Sequence, residues 1–384
     1  MTEPTASDLR RNAIQDAKCV VVKVGTRVLT TPDGKLDRGR IDVLAAGLCR
    51  IAATGRQTVM VSSGAVGAGL GKLGLTTRPT GLAQLQAIAA IGQTDLIQAY
   101  EVAIAKSGRH AAQVLLTLAE LQHRSSYLNA RNALNQIHAY GAIAVVNEND
   151  SVAVDELMTT FGDNDRLAAQ VAGLLSRSLL VILSDVDGLY DGPPEQPTSR
   201  RISLVRSLDE QVFALAQDHR GGLSKGGMAS KLEAARIASS HGHPTIIGSG
   251  HADDVLDRVL AGEEVGTLFV PTEKSITGRR RWIGTSARVE GTLHLDAGAA
   301  KAVRHKGRSL LAIGITKVAR SFAAGSVVAL VDPAGNEIAR GLCNYPSSEV
   351  NKIIGKPSDQ IAEILGHQPY ESVVHRDNLV VTAE

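Results

Sequence analysis

Aromatic residues are scarce in this chain: they make up 3% of 384 positions, with a single tryptophan. That scarcity argues against any surface built on repeated ring stacking. Cysteine is nearly as rare. Cys19, Cys49 and Cys343 are odd in number, far apart and form no CxxC pair. The pattern argues against a disulfide framework or a thiolate zinc site and fits a reducing, cytoplasmic compartment. No stretch approaches the roughly 18 apolar residues of a membrane span. The first twelve residues are polar and lack the apolar core of a signal peptide. A dominant charge is missing too. Lys and Arg number 41 against 39 Asp and Glu, a net +2 that says little until it is divided along the chain.

Glycine, by contrast, is abundant at 38 residues. Together with many Ala, Val, Leu and Ile it fits an α/β enzyme with tight strand-to-helix loops. Residues 19–24, 58–61, 113–116, 142–146, 179–183 and 245–247 read as short buried strands. Ile41, Leu44, Ala45, Leu48 and Ile51 recur at helical spacing, and residues 82–106, 126–140, 164–176 and 228–241 read as helices. Residues 1–16 read as a polar lead without periodicity. The strands are continuously apolar rather than alternating. This predicts a three-layer α/β sandwich, its largely parallel central sheet covered on both faces. Such sheets bind ligands at the C-terminal ends of their strands, and the polar motifs fall there.

The pattern changes after about residue 275. Residues 291–295, 326–331, 338–342 and 379–381 read as short strands separated by Gly and Pro turns, with one or two short helices. The predicted division is a first domain over 1–275 and a small β-rich tail over 276–384. From residue 279 onward 14 Lys and Arg face 10 Asp and Glu, a balance of +4, while the remainder is −2. The asymmetry favours the tail for any polyanion. The run Arg279-Arg280-Arg281 reads equally well as a solvated face beside a linker.

Lys23-Val24-Gly25-Thr26 places a lysine at the end of the first strand, beside a glycine. There an ammonium can extend over a bound phosphate while the backbone approaches closely. An exposed strand-end lysine would look the same. Ser62-Ser63-Gly64-Ala65, followed by Gly67, Gly69, Gly71 and Gly74, reads as an anion cradle or as an ordinary Gly-rich turn. GxxxxGK[ST] does not occur and Gly25 is not part of a GxGxxG, which disfavours Walker and Rossmann sites. Asn147-Glu148-Asn149-Asp150 and Gly162-Asp163-Asn164-Asp165 hold four acids and three amides, more than helix capping needs. Such groups can recognise an amino acid's ammonium and carboxylate, or orient lysines. Ser184-Asp185-Val186-Asp187-Gly188 follows a buried strand, and an acidic turn would look the same. Lys225-Gly226-Gly227-Met228-Ala229-Ser230-Lys231 opens a helix whose first amides and dipole suit phosphate, with Lys231 near the first turn.

None of the 11 histidines falls inside these motifs, and no metal-ligand cluster accompanies them. The set describes phosphoryl transfer. A carboxylate acceptor is already ionised at neutral pH and needs no general base. Catalysis then reduces to positioning and to neutralising the moving charge.

In this order and spacing the motifs resemble the amino-acid kinase family, and within it the branch that phosphorylates L-glutamate. The carriers are Val21 to Thr26, Ser62 to Ala65, Asn129-Ala130-Arg131, Val146 to Asp150, Gly162 to Asp165, Ser184 to Tyr190 and Gly226 to Lys231. The resemblance runs from about Lys18 to Asn378, and its last part is similar to a PUA domain, an RNA-associated β-barrel module. It implies the amino-acid kinase fold with a small β-barrel-like domain appended. It also implies that ATP and L-glutamate give L-glutamyl 5-phosphate, the first step of proline synthesis. By the same resemblance Lys23 and Lys231 stabilise the transferring group, held in place by Asp165 with Asp163. Lys23, Gly25, Ser184, Asp185 and the segment Lys225, Gly226, Gly227, Met228, Ala229, Ser230 and Lys231 bind ATP. Ser63, Asp150 and Asn164 bind glutamate. Mg2+ is held mainly by the ATP phosphates, the enzyme is a homo-oligomer, and proline inhibits it. Lys225 and Ser230 stand where the family more often has threonine, and Lys225 is given no catalytic role.

Two other readings compete. A sibling kinase acting on acetylglutamate, aspartate, carbamate or a nucleoside monophosphate would share the lysines. The two Asn/Asp clusters and the tail favour glutamate. An RNA-binding protein led by the tail is the second, although Trp282, Phe322, Tyr345 and Tyr370 are a thin set for stacking.

Overall fold

Four valines among six residues make Cys19–Val24 (β1) a strand, because branched side chains suit a pleated surface that is covered on both faces. All six are buried. β1 lies at the centre of an eight-stranded sheet. It pairs in parallel with Gln57–Ser62 (β2) on one side, and Ser178–Ser184 lies on its other side. Ala111–Leu116 (β3) and Ile143–Glu148 (β4) extend the sheet beyond β2, and Ser178–Ser184 is numbered β5. Leu204–Val205 (β6), Thr245–Ser249 (β7) and Thr267–Phe269 (β8) complete it, in the order β3-β4-β2-β1-β5-β7-β8-β6. Pairing is parallel except between β7 and β8. The computed structural model describes residues 4–32, 34–153, 163–216, 227–271, 282–368 and 370–382.

Helices cover both faces. The main ones in this unit are Ala6–Asp16 (α1), Arg38–Ala53 (α2), Ala65–Leu73 (α3), Leu82–Ala105 (α4), Arg124–Ala139 (α5), Asp163–Leu174 (α6), Met228–Ser240 (α7) and Val255–Leu260 (α8). Alternate residues of a strand face opposite ways. Val20, Val22 and Val24 accordingly join one core with Ile41, Leu44 and Leu48 of α2 and Leu96 and Tyr100 of α4. Lys23 faces the other way, toward Asp165 at the start of α6.

Two local expectations are corrected. The lead that reads as lacking periodicity holds a helix over Ala6–Asp16. Thr5 and Asp8 form a capping box that starts α1. Arg10 is buried and donates to the carbonyls of Val265, Ser203 and Gly266, which anchors the helix. The Gly-rich stretch after Ser63 is not a turn. Gly64, at φ +106°, is the bend, and α3 follows at once. Gly69 packs so tightly on α4 that a Cβ would lie 2.0 Å from the Ile88 carbonyl oxygen. Gly69 thus serves helix contact.

The chain divides into two compact units: residues 1–120 with 127–275, and residues 121–126 with 276–384. The second has its own core, built from Leu293, Val328, Leu330, Ile338, Val350 and Val374 among others. Its five-stranded sheet runs β10-β9-β11-β12-β13, from Gly291–Leu295 (β9), Ile315–Ala319 (β10), Val327–Val331 (β11), Glu337–Cys343 (β12) and Val374–Val381 (β13). Strand β10 escaped the sequence pattern because Thr316 and Lys317 in its middle are exposed. Among the described residues three α-helices, Ala297–Lys306 (α9), Ser347–Ile353 (α10) and Ile361–Leu365 (α11), stand where one or two were expected.

Candidate active site

The C-terminal ends of β1, β2, β4 and β5 and the first turns of α6 and α7 carry the polar residues. Lys23 is the fifth residue of β1, with 6% of its surface exposed. Its Nζ lies 2.7 Å from Asp165 Oδ1. Lys231, in the first turn of α7, brings its Nζ to 3.8 Å from Asp165 Oδ2. Ser230 Oγ donates to the same oxygen at 2.7 Å. One nearly sealed carboxylate thus holds two ammonium groups drawn from separate elements. Burial pulls the Asp165 carboxyl upward, but Lys23, Lys231 and the hydrogen bonds from Lys23 and Ser230 outweigh it and hold the group below the usual carboxylate range. Burial pushes the Lys231 ammonium down, against the pull of Asp165.

A second polar group adjoins the first, because Asn164 precedes Asp165 on α6. Asn164 Nδ2 donates to Ser63 Oγ and to Asn147 Oδ1, each at 3.2 Å. Asn147 Nδ2 in turn donates to Gln93 Oε1 of α4 at 2.8 Å. Asp150 lies two residues beyond β4, 9% exposed. Burial pushes its carboxyl up to about 6, against the opposing pull of Arg78. No hydrogen bond to Asp150 joins it to Ser63 or Asn164.

At the end of β5, Ser184 Oγ donates to Asp185 Oδ1 at 2.9 Å, and Arg27 Nη1 lies 2.7 Å from Asp185 Oδ2. Burial raises the Asp185 carboxyl, but the Arg27 hydrogen bond and its neighbours bring it below its ordinary value. The charges of Asp185 and Arg27 both reach Lys231. Gly25 leaves room beside Lys23: a Cβ there would meet its Nζ at 3.7 Å. Its amide is committed to the Leu183 carbonyl, so Gly25 contributes space rather than a free donor. Gly227 caps α7 without a side-chain bond, leaving Met228, Ala229 and Ser230 at the positive end of the helix.

The structure therefore brings together Lys23, Asp165, Ser230 and Lys231, and separately Ser63 with Asn164. Lys225, Gly226 and the side chain of Asp163 lie outside the described residues, as do residues 154–161 and the three arginines 279–281. Gln93 and Arg27 were missed by sequence reasoning. Gln93 did leave a signal, being polar in the apolar stripe Leu85, Ile88, Ala89, Gly92 and Leu96. Asn147 lay in a cluster already singled out.

A model of the amino acid kinase family matches residues 18–249, and a PUA domain model matches residues 291–365. A glutamate 5-kinase of Rhodopirellula baltica is 64% identical over 378 residues, covering 98% of this chain and 97% of that protein. A glutamate 5-kinase of Pseudomonas putida is 45% identical over 372 residues, covering 97% of this chain and 100% of that protein. Among solved structures, carbamate kinase from Giardia lamblia bound to AMP-PNP aligns with a TM-score of 0.48 at 18% identity, covering 67% of this chain and 99% of that one.

Proposed function

The chain belongs to the amino acid kinase family, and from that premise we propose that it transfers the γ-phosphoryl group of ATP to the side-chain carboxylate of L-glutamate. The product is L-glutamyl 5-phosphate, the first intermediate of proline biosynthesis. The identity shared with glutamate 5-kinases over nearly the whole chain supports this. The observation that carries the mechanism is the buried Lys23–Asp165–Lys231 centre, one residue away from the Asn164–Ser63 pair.

A carboxylate oxygen of glutamate attacks the γ-phosphorus, and the bond from that phosphorus to the β,γ-bridging oxygen breaks. ADP leaves with the electron pair. No proton needs to move, because the nucleophile is already an anion. The chain's work is electrostatic. Lys23 and Lys231 face the phosphates and neutralise charge on the transferring group. Asp165 holds both ammonium groups in place and offsets their mutual repulsion before substrates arrive. The amides that open α7 receive phosphate oxygens. Ser63, Asn164 and Asp150 hold the amino acid, with the Asp150 carboxylate suited to its ammonium.

Among the described residues no group of three or more His, Cys, Asp or Glu could hold a metal ion. Asp165 is committed to Lys23, Lys231 and Ser230. That donor set fits Mg2+ arriving with the nucleotide, held by phosphate oxygens, where it would add positive charge to the same oxygens.

Trapping the acyl phosphate as a hydroxamate, with ATP and a panel of acceptors, tests the reading. Glutamate should be the preferred acceptor by a wide margin. Preference for acetylglutamate, aspartate, carbamate or a nucleoside monophosphate would overturn it.

Inhibition by proline, a homo-oligomeric state and a cytoplasmic location complete the proposal. They are supported by the family resemblance and, for location, by three buried free cysteines. No helix among the described residues is long and apolar enough to cross a membrane. For the tail, RNA contact is favoured by a cavity of about 660 Å³ in which Arg308, His375 and Arg376 border Ala302, Leu310 and Ile313. Binding of single-stranded RNA that weakens steeply with salt would support that role. Salt-independent or absent binding would remove it.

A further inference from the structure

One buried backbone amide sets the direction of a hydrogen-bond chain that ends at the glutamate subsite. The N–H of Glu148 can only donate, and it donates to Asn147 Oδ1 at 2.9 Å. Asn147 must therefore turn its Nδ2 the other way, where it donates to Gln93 Oε1 at 2.8 Å. On its oxygen side Asn147 also receives one proton of Asn164 Nδ2, and the other goes to Ser63 Oγ. Ser63 is thus an acceptor toward Asn164, and its own proton is left for an outside acceptor such as a carboxylate. The members are nearly sealed from solvent: Asn147 is 2% exposed, Asn164 3%, Ser63 5% and Gln93 9%. There a lost partner is not readily replaced by water, so the orientation of one amide constrains the next.

Gln93 is the terminal acceptor of this chain. It follows Gly92, where α4 presses against α3 so closely that a Cβ would lie 1.9 Å from the Ala65 carbonyl oxygen. That close approach brings the Gln93 side chain to Asn147. Its Nε2 is buried and has no hydrogen-bond partner among the described residues. A glutamine with one half of its amide left unsatisfied is an expensive way to fill apolar space. Its acceptor oxygen is what the site uses.

We propose that Gln93 is a positioning residue for glutamate recognition: by accepting from Asn147 it holds in place the orientation that the Glu148 amide sets, which aims Asn164 Nδ2 at Ser63 and frees the Ser63 proton for the substrate. Gln93 touches no reacting atom. The inference rests on the reading of this site as a glutamate site.

The test uses the full chain with Gln93→Met, which keeps the side-chain length and removes the acceptor, and Gln93→Leu beside it. The Michaelis constant for glutamate should rise about tenfold or more, the scale of losing a buried hydrogen-bond partner. That for ATP should stay within about twofold, as should calorimetric affinity for a non-hydrolysable ATP analogue. In an Asn147→Ala background, adding Gln93→Met should change kcat/KM for glutamate by less than about twofold, because the intermediary is already gone. An unchanged glutamate constant, equal rises for both substrates, or additive losses in the double variant would overturn the proposal. If neither apolar variant folds, Gln93 is a structural residue and the proposal likewise falls. A parent chain that fails to phosphorylate glutamate sinks the functional reading itself. A parent that succeeds while Gln93→Met spares glutamate sinks only this inference.

Discussion

Asp165 joins two lysines that lie more than two hundred positions apart in the chain, and the charge balance at that one carboxylate decides how each responds to substitution. Lys23→Ala or Lys231→Ala should lower kcat by roughly 10² or more, the scale of removing one transition-state donor. Steady-state kinetics would check it. A near-normal kcat with only a raised constant for ATP would mean that the lysine binds the ground state alone. Asp150 behaves in the opposite sense. Its folded-state carboxyl titrates near 6, above the ordinary 3.8. The folded protein therefore binds this proton more tightly than the unfolded chain does. Ionised Asp150 is a burden that is fully present above pH 6 and is relieved as pH falls toward 4. Asp150→Asn should raise stability at pH 7.5 by on the order of 1–3 kcal/mol, a gain that fades by pH 4, while glutamate use collapses. Thermal melts across pH check the first part. In the parent, the glutamate constant should climb as pH drops through about 6. A flat profile there would show that the Asp150 charge does not hold the substrate.

At the scale of elements, the seam between α3 and α4 matters most. Gly69 and Gly92 leave no room for a Cβ, whose nearest neighbours would be backbone carbonyl oxygens at 2.0 and 1.9 Å. Backbone cannot yield as a side-chain tip does. Gly92→Ala should therefore destabilise by about 2 kcal/mol or more. That corresponds to a Tm lower by about 5 °C for a unit of this size. Because Gln93 comes next, the surviving folded enzyme should also show a raised glutamate constant. Differential scanning calorimetry and kinetics on one preparation would separate the two effects. The sequence pattern misread this seam for a physical reason: glycine marks turns when it stands alone, and only the facing helix reveals a packing role. In α1 the sequence analysis passed over the Thr5–Asp8 box, and the buried face mixes Arg10 with Ile14, so its periodicity was hidden.

At the scale of the whole molecule, two separate cores mean that the kinase chemistry does not require the tail for its own packing. A chain ending near residue 275 should fold and phosphorylate glutamate with kcat within about threefold of the parent. It should melt earlier. Residues 121–126 group with the tail, and the Arg124 guanidinium lies 5.2 Å from the Trp282 ring centroid, a favourable contact that truncation removes. A soluble, folded truncation that binds ATP and lacks activity would show instead that the tail takes part in the reaction.

The parts whose signals are local could be read from the chain alone. Continuous apolar runs mark strands of a covered parallel sheet, and Lys23 beside Gly25 and Lys231 beside Gly227 mark helix and strand ends suited to phosphate. The two Asn/Asp clusters mark polar groups gathered at a strand end and a helix start. Spacing of two or 3.6 residues is written within a few positions, so a reader of the chain can find it. The sharing of one carboxylate by Lys23 and Lys231 was decided elsewhere. So was the link from Gln93 to Asn147, 54 positions away, and that from Asn164 to Ser63, 101 positions away. Those meetings depend on the register of β1 between β2 and β5, on α6 packing against them, and on two glycines that let α4 approach α3 closely. Register and helix approach are properties of the assembled core, set by packing between segments that no local window contains.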